Sequence, residues 1–271
     1  MNRLAFHTIT TKPWGLEKSV ENFLEQGISG ITVWQDALEN FGVREAANIL
    51  ERSPIEVISY CRGGFFPSLS GLERQQTIEK NKQLIDDASL IGAPLMVLVC
   101  GAAPGLPLEK SRDQIRHGIE QILPTAIDQN VKLAIEPLHP LYADTRSAIN
   151  TLTIANDMVE DFDDEFVGVA IDVYHVWWEP GLKAQIKRCA QSNSLLAFHI
   201  CDWKVPTVDL LNDRGIMGEG CIPIKEISDW VDETGFGGMR EVEIFSNRYW
   251  EMDQHEYLDR ILEAYRKIYE S

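Results

Sequence analysis

Val167-Gly168-Val169-Ala170-Ile171-Asp172 is a short run in which large and small apolar residues alternate and an acid closes the series. Successive side chains of a strand point to opposite faces, so Val167, Val169 and Ile171 share one face and Gly168, Ala170 and Asp172 the other. A strand covered by helices on both sides of an open sheet more often reads as an unbroken Val/Ile run. Small residues and an acid on one face suit the crowded interior of a closed barrel instead. Two neighbouring runs repeat the pattern: Leu196 and Phe198 alternate with Ala197 and His199, and Val242 and Ile244 alternate with Glu241 and Glu243.

Outward from this stretch, further β-like runs recur with helical segments between them, the pattern of βα units that build a parallel sheet. Eight strands are expected: Leu4–His7, Ile31–Trp34, Val57–Cys61, Leu95–Val99, Lys132–Glu136, Val167–Asp172, Leu195–Ile200 and Arg240–Phe245. Leu16, Val20, Phe23 and Leu24, and later Tyr257, Ile261, Tyr265 and Ile268, recur at helical spacing and give faces that can cover the sheet. Gly27, Gly92 and Gly235 fall where helices should end in left-handed caps, and RGGFFP (62–67) and GAAPGLP (101–107) read as loops. The 271 residues lie close to the roughly 250 of one eight-stranded α/β barrel. The expected fold class is therefore α/β, a (β/α)8 TIM barrel forming one domain over residues 1–271.

Composition narrows the function. A hydrophobic fraction of 44% and a charged fraction of 25% are those of a water-soluble globular chain, and no apolar run approaches the ~20 residues of a membrane span. The net charge of −17, without a Lys/Arg cluster, repels a phosphate backbone, so nucleic acid is not an expected partner. MNRLAFHTITTKPWG lacks the apolar core of a signal peptide, and Cys61, Cys100, Cys189, Cys201 and Cys221 form no C-x-x-C pair; both point to a cytoplasmic protein with reduced thiols. Assembly as a homo-oligomer is left open.

Four strand ends share one feature. Glu136 ends VKLAIE, Asp172 ends VGVAID, His199 closes LLAFH and Glu243 sits in REVEIF, all in the inward phase. In an eight-stranded barrel the C-terminal strand ends ring the active site, so these side chains should converge. One such residue alone is better explained as a hydrogen-bonded core polar group. Four in phase on successive strands reverse that preference, because unpaired buried carboxylates cost several kcal/mol each and no Lys or Arg matches them along these strands except Lys132 at the far end. One divalent metal ion is the economical counter-charge. Three oxygens and a nitrogen suit Mn²⁺, Mg²⁺ or Co²⁺, with Zn²⁺ also accommodated; Mn²⁺ is the expectation. His139 and Tyr142 lie just beyond the fifth strand, where loop side chains reach a substrate. Trp14, Trp34, Trp177, Trp178 and Trp250 could wall a sugar site, although packing is the better account for most of them.

IEPLHP (135–140), DVYH (172–175), FHICDW (198–203), DRGIMGEG (213–220) and EVEIFS (241–246) resemble the xylose isomerase-like barrel superfamily. It includes sugar isomerases and epimerases, hydroxypyruvate isomerases, inosose dehydratases and type IV apurinic endonucleases. The first 130 residues match only in strand-helix order. The resemblance implies metal ligation by Glu136, Asp172, His199 and Glu243, and substrate contacts from His175 and Arg214. A helix cap at His175 and a surface position for Arg214 are the competing accounts. Glycines 215, 218 and 220 would let the Arg214 loop close. The ketose 3-epimerases carry a Glu six residues after the first ligand, where Tyr142 stands here. The endonucleases add histidines at places held here by Tyr60 and Cys61, by Cys100, and by Gly215 in Asp213-Arg214-Gly215, so their three-zinc chemistry lacks its ligands.

The leading expectation is a metal-dependent isomerase or epimerase acting on a small sugar or hydroxy-carbonyl compound. One of Glu136 and Glu243 removes the proton α to a carbonyl held at the metal, and the other returns it to the enediolate. A dehydratase or a 3-keto-glycoside β-eliminating lyase would share that first step, and a non-catalytic sugar-binding barrel is the rival from another class. No phosphate cradle is visible, which favours an unphosphorylated substrate.

Overall fold

A computed structural model describes residues 3–39 and 42–270. Positions 1, 2, 40, 41 and 271 of the domain expected over 1–271 lie outside the described residues. The strands are β1 (Leu4–His7), β2 (Gly30–Trp34), β3 (Glu56–Gly64), β4 (Leu95–Val99), β5 (Lys132–Ile135), β6 (Val167–Asp172), β7 (Leu195–Ile200), the short pair β8 (Asp202–Trp203) and β9 (Arg214–Gly215), and β10 (Arg240–Val242). Eight of them close into a barrel in the order β1-β10-β7-β6-β5-β4-β3-β2, every neighbour parallel, while β8 and β9 pair antiparallel outside it. The chain is a (β/α)8 TIM barrel.

The helices between strands include α1 (Gly15–Glu25), α2 (Gly42–Glu51), α3 (Gly71–Leu90), α4 (Leu108–Gln129), α5 (Leu152–Phe162), α6 (Val173–Val176), α7 (Leu182–Gln191), α8 (Ile224–Asp232), α9 (Asn247–Trp250) and α10 (Gln254–Tyr269). Local chemistry sets their ends. Ser70 accepts from the Glu73 N–H and Thr151 from the Ile154 N–H, side-chain oxygens that satisfy amides the first helical turn leaves unpaired. Gly27, Gly92 and Gly235 have φ of 73°, 77° and 81° just past helix ends, the left-handed conformation expected of them. None of the described helices is long and apolar enough to cross a membrane.

Alternation along the strands sorts the core into two layers. Ile31, Leu98, Ile135, Val169, Ile171, Phe198 and Val242 pack outward against helix residues such as Phe23, Ile85, Ile119 and Ile261. Val97, Ala134, Ala170 and Ala197 face into the barrel with Trp34, Cys61 and Phe245. One expected facing is corrected. Leu196 turns inward, because the β6–β7 register shifts between Val169 and Ala170, which pair with Leu195 and Ala197. It fits only beside a glycine: a Cβ on Gly168 would lie 2.6 Å from Leu196. Three C-terminal strand ends also differ, β5 stopping at Ile135 so that Glu136 follows it. β3 runs three residues further than expected, through a register shift at Arg62, and β10 stops at Val242, so Glu243 follows the strand.

Candidate metal centre

Glu136, Asp172, His199 and Glu243 are brought together at the C-terminal end of the barrel. All four are buried, and each offers a ligand atom within 4.8 Å of those of the other three. Backbone pairing sets their heights. Asp172 is opposite His199 in the β6–β7 ladder, the Glu136 amide donates to Leu98 O at 3.1 Å, and the Glu243 amide to Ile200 O at 3.2 Å. Asp172 also caps α6: its Oδ1 accepts from the Tyr174 N–H at 2.8 Å, which leaves Oδ2 for the centre. Glu136 Oε1 lies 3.0 Å from His199 Nδ1. Its Oε2 has no hydrogen-bond partner among the described residues.

Two residues beneath the centre were not singled out from sequence. His7 bridges Glu241 Oε2 at 3.2 Å and Glu243 Oε1 at 3.0 Å, and Glu241 also accepts from Thr32 Oγ1 at 2.5 Å. The available signal was phase: His7 closes β1 on the face opposite Phe6, and Glu241 stands two residues before Glu243.

Four buried carboxylates, Glu136, Asp172, Glu241 and Glu243, thus face three basic side chains, His7, His199 and Arg214. Burial opposes protonation of His7, but the field of Glu243 and hydrogen bonds to Glu241 and Glu243 outweigh it and push the imidazole to about 9. Burial and neighbouring His7 likewise oppose a charge on His199, while the bond to Glu136 and the fields of Glu241 and Glu243 carry it to about 9. With both rings protonated, one negative charge is left uncompensated. It falls on Asp172, whose carboxyl burial pushes upward against the pull of Arg214. A divalent cation with a neutral His199 would balance the set completely. His199 Nε2 is buried without a hydrogen-bond partner and lies 3.8 Å from Glu241 Oε2. A cation on Nδ1 would put the ring proton on Nε2, facing that carboxylate, as ligating histidines commonly require. The donors therefore fit a divalent ion.

Arg214 is not at a loop tip. It is 3% exposed, its Nη1 donates to Asp172 Oδ2 at 2.8 Å and to Glu243 Oε2 at 2.6 Å, and its guanidinium lies 4.4 Å from the Tyr174 ring and 4.9 Å from that of Phe245. The glycines after it make close packing rather than a hinge. Asp202 accepts from the Gly218, Gly220 and Ile222 amides at 2.8 to 3.0 Å, and a Cβ on Gly220 would meet Trp203 O at 2.1 Å. Truncating Arg214 leaves two carboxylates facing each other in the interior, a loss of ~3–5 kcal/mol in comparable buried pairs. Arg214→Ala should therefore melt far below the parent when metal-free, and Mn²⁺ should restore most of the difference. Thermal melts of both proteins with and without the ion check this; an equal deficit in both states would count against a cation between Asp172 and Glu243.

The other expected contacts divide. His175 is buried beside Arg214, its Nε2 3.3 Å from Nη2, and its Nδ1 accepts from the His139 N–H at 3.3 Å. Burial and the Arg214 charge keep it neutral, well below the usual imidazole range. Tyr142 donates to Leu210 O and lines a recess of about 20 Å³ with Glu136, His175, Arg214 and Glu243. His139 differs from expectation: its Nδ1 caps the following turn at Leu141, and its ring packs between Trp178 and Trp203 at 5.5 and 5.0 Å. Trp34 and Trp250 line a cavity of about 970 Å³ above, which shares Trp34, Arg62, Arg146, Leu211 and Phe245 with the recess. Trp14 and Trp177 pack against the core.

The family model described as xylose isomerase-like TIM barrel matches residues 20–268. A crystal structure of a protein from Sinorhizobium meliloti 1021 superposes with a TM-score of 0.94 at 41% identity, covering 98% of both chains. The structure of the IOLI protein with a bound zinc atom matches at TM-score 0.85 and 18% identity, over 98% of this chain and 97% of that one. The apo form of 3-keto-D-glucoside 4-epimerase from E. coli matches at 0.78 and 15%, over 97% and 98%. No curated protein matches the sequence.

Proposed function

The chain belongs to the family of xylose isomerase-like TIM barrels, and from that membership we propose that it is a divalent-metal-dependent isomerase or epimerase of a small sugar or related hydroxy-carbonyl compound. The observation that carries this reading is the convergence of three buried carboxylates and an imidazole within 4.8 Å, two of the carboxylates opening on a recess beneath a large cavity. Glu136, Asp172, His199 and Glu243 would hold the ion. Mn²⁺ is the first candidate, and the zinc in the IOLI structure makes Zn²⁺ the second. When bound, the ion supplies Lewis acidity toward the substrate carbonyl.

The remaining chemistry falls to the chain. Glu136 and Glu243 follow strands three places apart round the barrel and face the same recess, one placed to take a proton from the substrate and the other to return it. Glu136 Oε2 is the unengaged oxygen, which suits it to the first transfer. Burial would raise Glu243, but Arg214 and then His7 outweigh it and hold the carboxyl well below its usual range, so it meets the substrate ionised and returns a proton only after taking one up during turnover. Neutral His175 and the Tyr142 hydroxyl line the recess as groups for substrate oxygens, with Arg214 between them. Trp34 and Phe245 restrict water at the rim, where an enediolate must not be protonated at random. The same reading places the protein in the cytoplasm, acting on a small molecule and not on nucleic acid, with a homo-oligomer left open.

Product analysis tests it. The Mn²⁺-loaded protein incubated with free ketoses, inososes and 3-keto-glycosides should yield isomers or epimers of at least one. An unsaturated product would convert the reading to a dehydratase or lyase, and no turnover with the metal bound would make the barrel a binding protein.

A further inference from the structure

Arg62 and Arg146 stand between the recess and the open cavity, lining both. Their elements aim them there. Arg62 sits where the β3–β4 register shifts between Cys61 and Gly63, and such bulges commonly re-aim a side chain beside an active site. Arg146 follows the turn after β5, fixed by the pairing of its carbonyl with the Gly101 N–H at 2.8 Å. Both are half-buried.

Neither guanidinium has a carboxylate within ion-pair distance among the described residues. Arg44, Arg52 and Arg248 also lack such a partner but are exposed, whereas Arg62 and Arg146 are half-buried in a chain whose Asp and Glu outnumber Lys and Arg by 42 to 25. Several other arginines are paired: Arg188 with Asp157 and Glu160, Arg116 with Asp161, Arg260 with Glu219. Of the acids in the same wall, Asp36 lies near Lys12 at 3.9 Å, Glu73 is engaged with Ser68, and Glu39 is exposed. Arg62 rests against aromatic faces, 5.6 Å from the Trp34 ring centre and 5.0 Å from that of Phe65. Arg146 makes no side-chain hydrogen bond among the described residues. Burial lowers its pKa, and the charge of Arg62 lowers it further. Two like charges held together in a half-buried wall without a counter-ion cost free energy that an anionic ligand would recover.

We propose that Arg62 and Arg146 form an oxyanion-binding subsite, so that the substrate carries a carboxylate or phosphate group on the part of the molecule remote from the reacting carbonyl. The proposal rests on the functional reading only in assigning the anion to the substrate. The ion-loaded centre is charge-balanced and offers no cation for such a group beyond the ion itself, while the arginines attract it. Together they would orient an elongated substrate with its carbonyl in the recess and its anion at the rim. A planar guanidinium pair accepts either anion, since both present several oxygens to parallel N–H donors.

Three ligands on one ketose skeleton separate the possibilities: D-fructose, D-fructuronate and D-fructose 6-phosphate, titrated calorimetrically into the Mn²⁺-loaded protein at constant ionic strength. At least one charged ligand should bind about tenfold or more tightly than D-fructose, and the better of the two identifies the group. Arg62→Gln combined with Arg146→Gln should bring all three to the affinity of D-fructose, and the corresponding lysine variants should keep part of the preference. Arg146→Gln alone should melt no lower than the parent, because no carboxylate loses a partner. Equal affinities for the three ligands, no binding of any, a preference that survives in the double variant, or a lowered melting temperature for Arg146→Gln would each overturn the subsite. Arginine-dependent binding without exchange of the α-hydrogen in deuterated water would leave the subsite standing and remove the isomerase reading instead.

Discussion

Replacing His199 by alanine should yield a folded protein that no longer retains a divalent ion and whose turnover falls by more than the ~10–100-fold typical of changes to groups behind a metal ligand. The ring touches Glu136 through Nδ1 and faces Glu241 through Nε2, so its loss removes a donor and the group that spaces two carboxylates. Metal analysis of the purified variant against the parent, which should hold close to one ion per chain, is the direct check. Full turnover by a metal-free preparation, or three ions per chain in the parent, would sink the assignment.

Protons should compete with that ion in a defined direction. In the metal-free protein His199 is protonated up to about 9, and the Asp172 carboxyl is pushed upward by burial. Both must lose a proton to become ligands, so loading releases protons and apparent affinity rises with pH toward about 9. Glu243 runs the other way, being held ionised by Arg214 and His7, and adds no such dependence near neutrality.

Much of this site was legible in the strand phases. Asp172 and Glu136 close runs whose alternation assigns them inward, and parallel pairing in a closed barrel then sets their heights. The less legible parts depend on register and loops. Leu196 reversed its facing because one register shift moved part of β7, and Arg62 reaches the cavity from another. Arg214 read as belonging to a hinged loop because glycines signal freedom, whereas here they let backbone close on Asp202. His139 had the right position and the wrong direction. Its ring turns toward Trp178 and Trp203, a choice made by side-chain packing that no spacing rule encodes.

The two glutamates should fail in different ways. Glu136→Gln should keep the ion measurably bound yet exchange the substrate α-hydrogen with deuterated water ~10²–10⁴-fold more slowly, the usual contribution of a positioned acid or base. Glu243→Gln should lose the ion first. The asymmetry follows from their partners. Glu243 spends one oxygen on His7 and the other on Arg214, so replacing it leaves two cationic groups unneutralised in the interior and disrupts the electrostatics of the whole centre. Glu136 has one oxygen beside His199, and the amide oxygen of its counterpart can still offer a lone pair to the ion from there. Its other oxygen is without a hydrogen-bond partner among the described residues, and the side chain lines the recess where the base is needed. Exchange measured by proton NMR at low conversion, alongside metal content for each variant, reads both effects at once. Near-normal exchange by Glu136→Gln would transfer the base to another group. If no label enters with the parent enzyme while product still forms, hydride transfer within the substrate becomes the mechanism. In that case the four residues would retain only the holding of the ion.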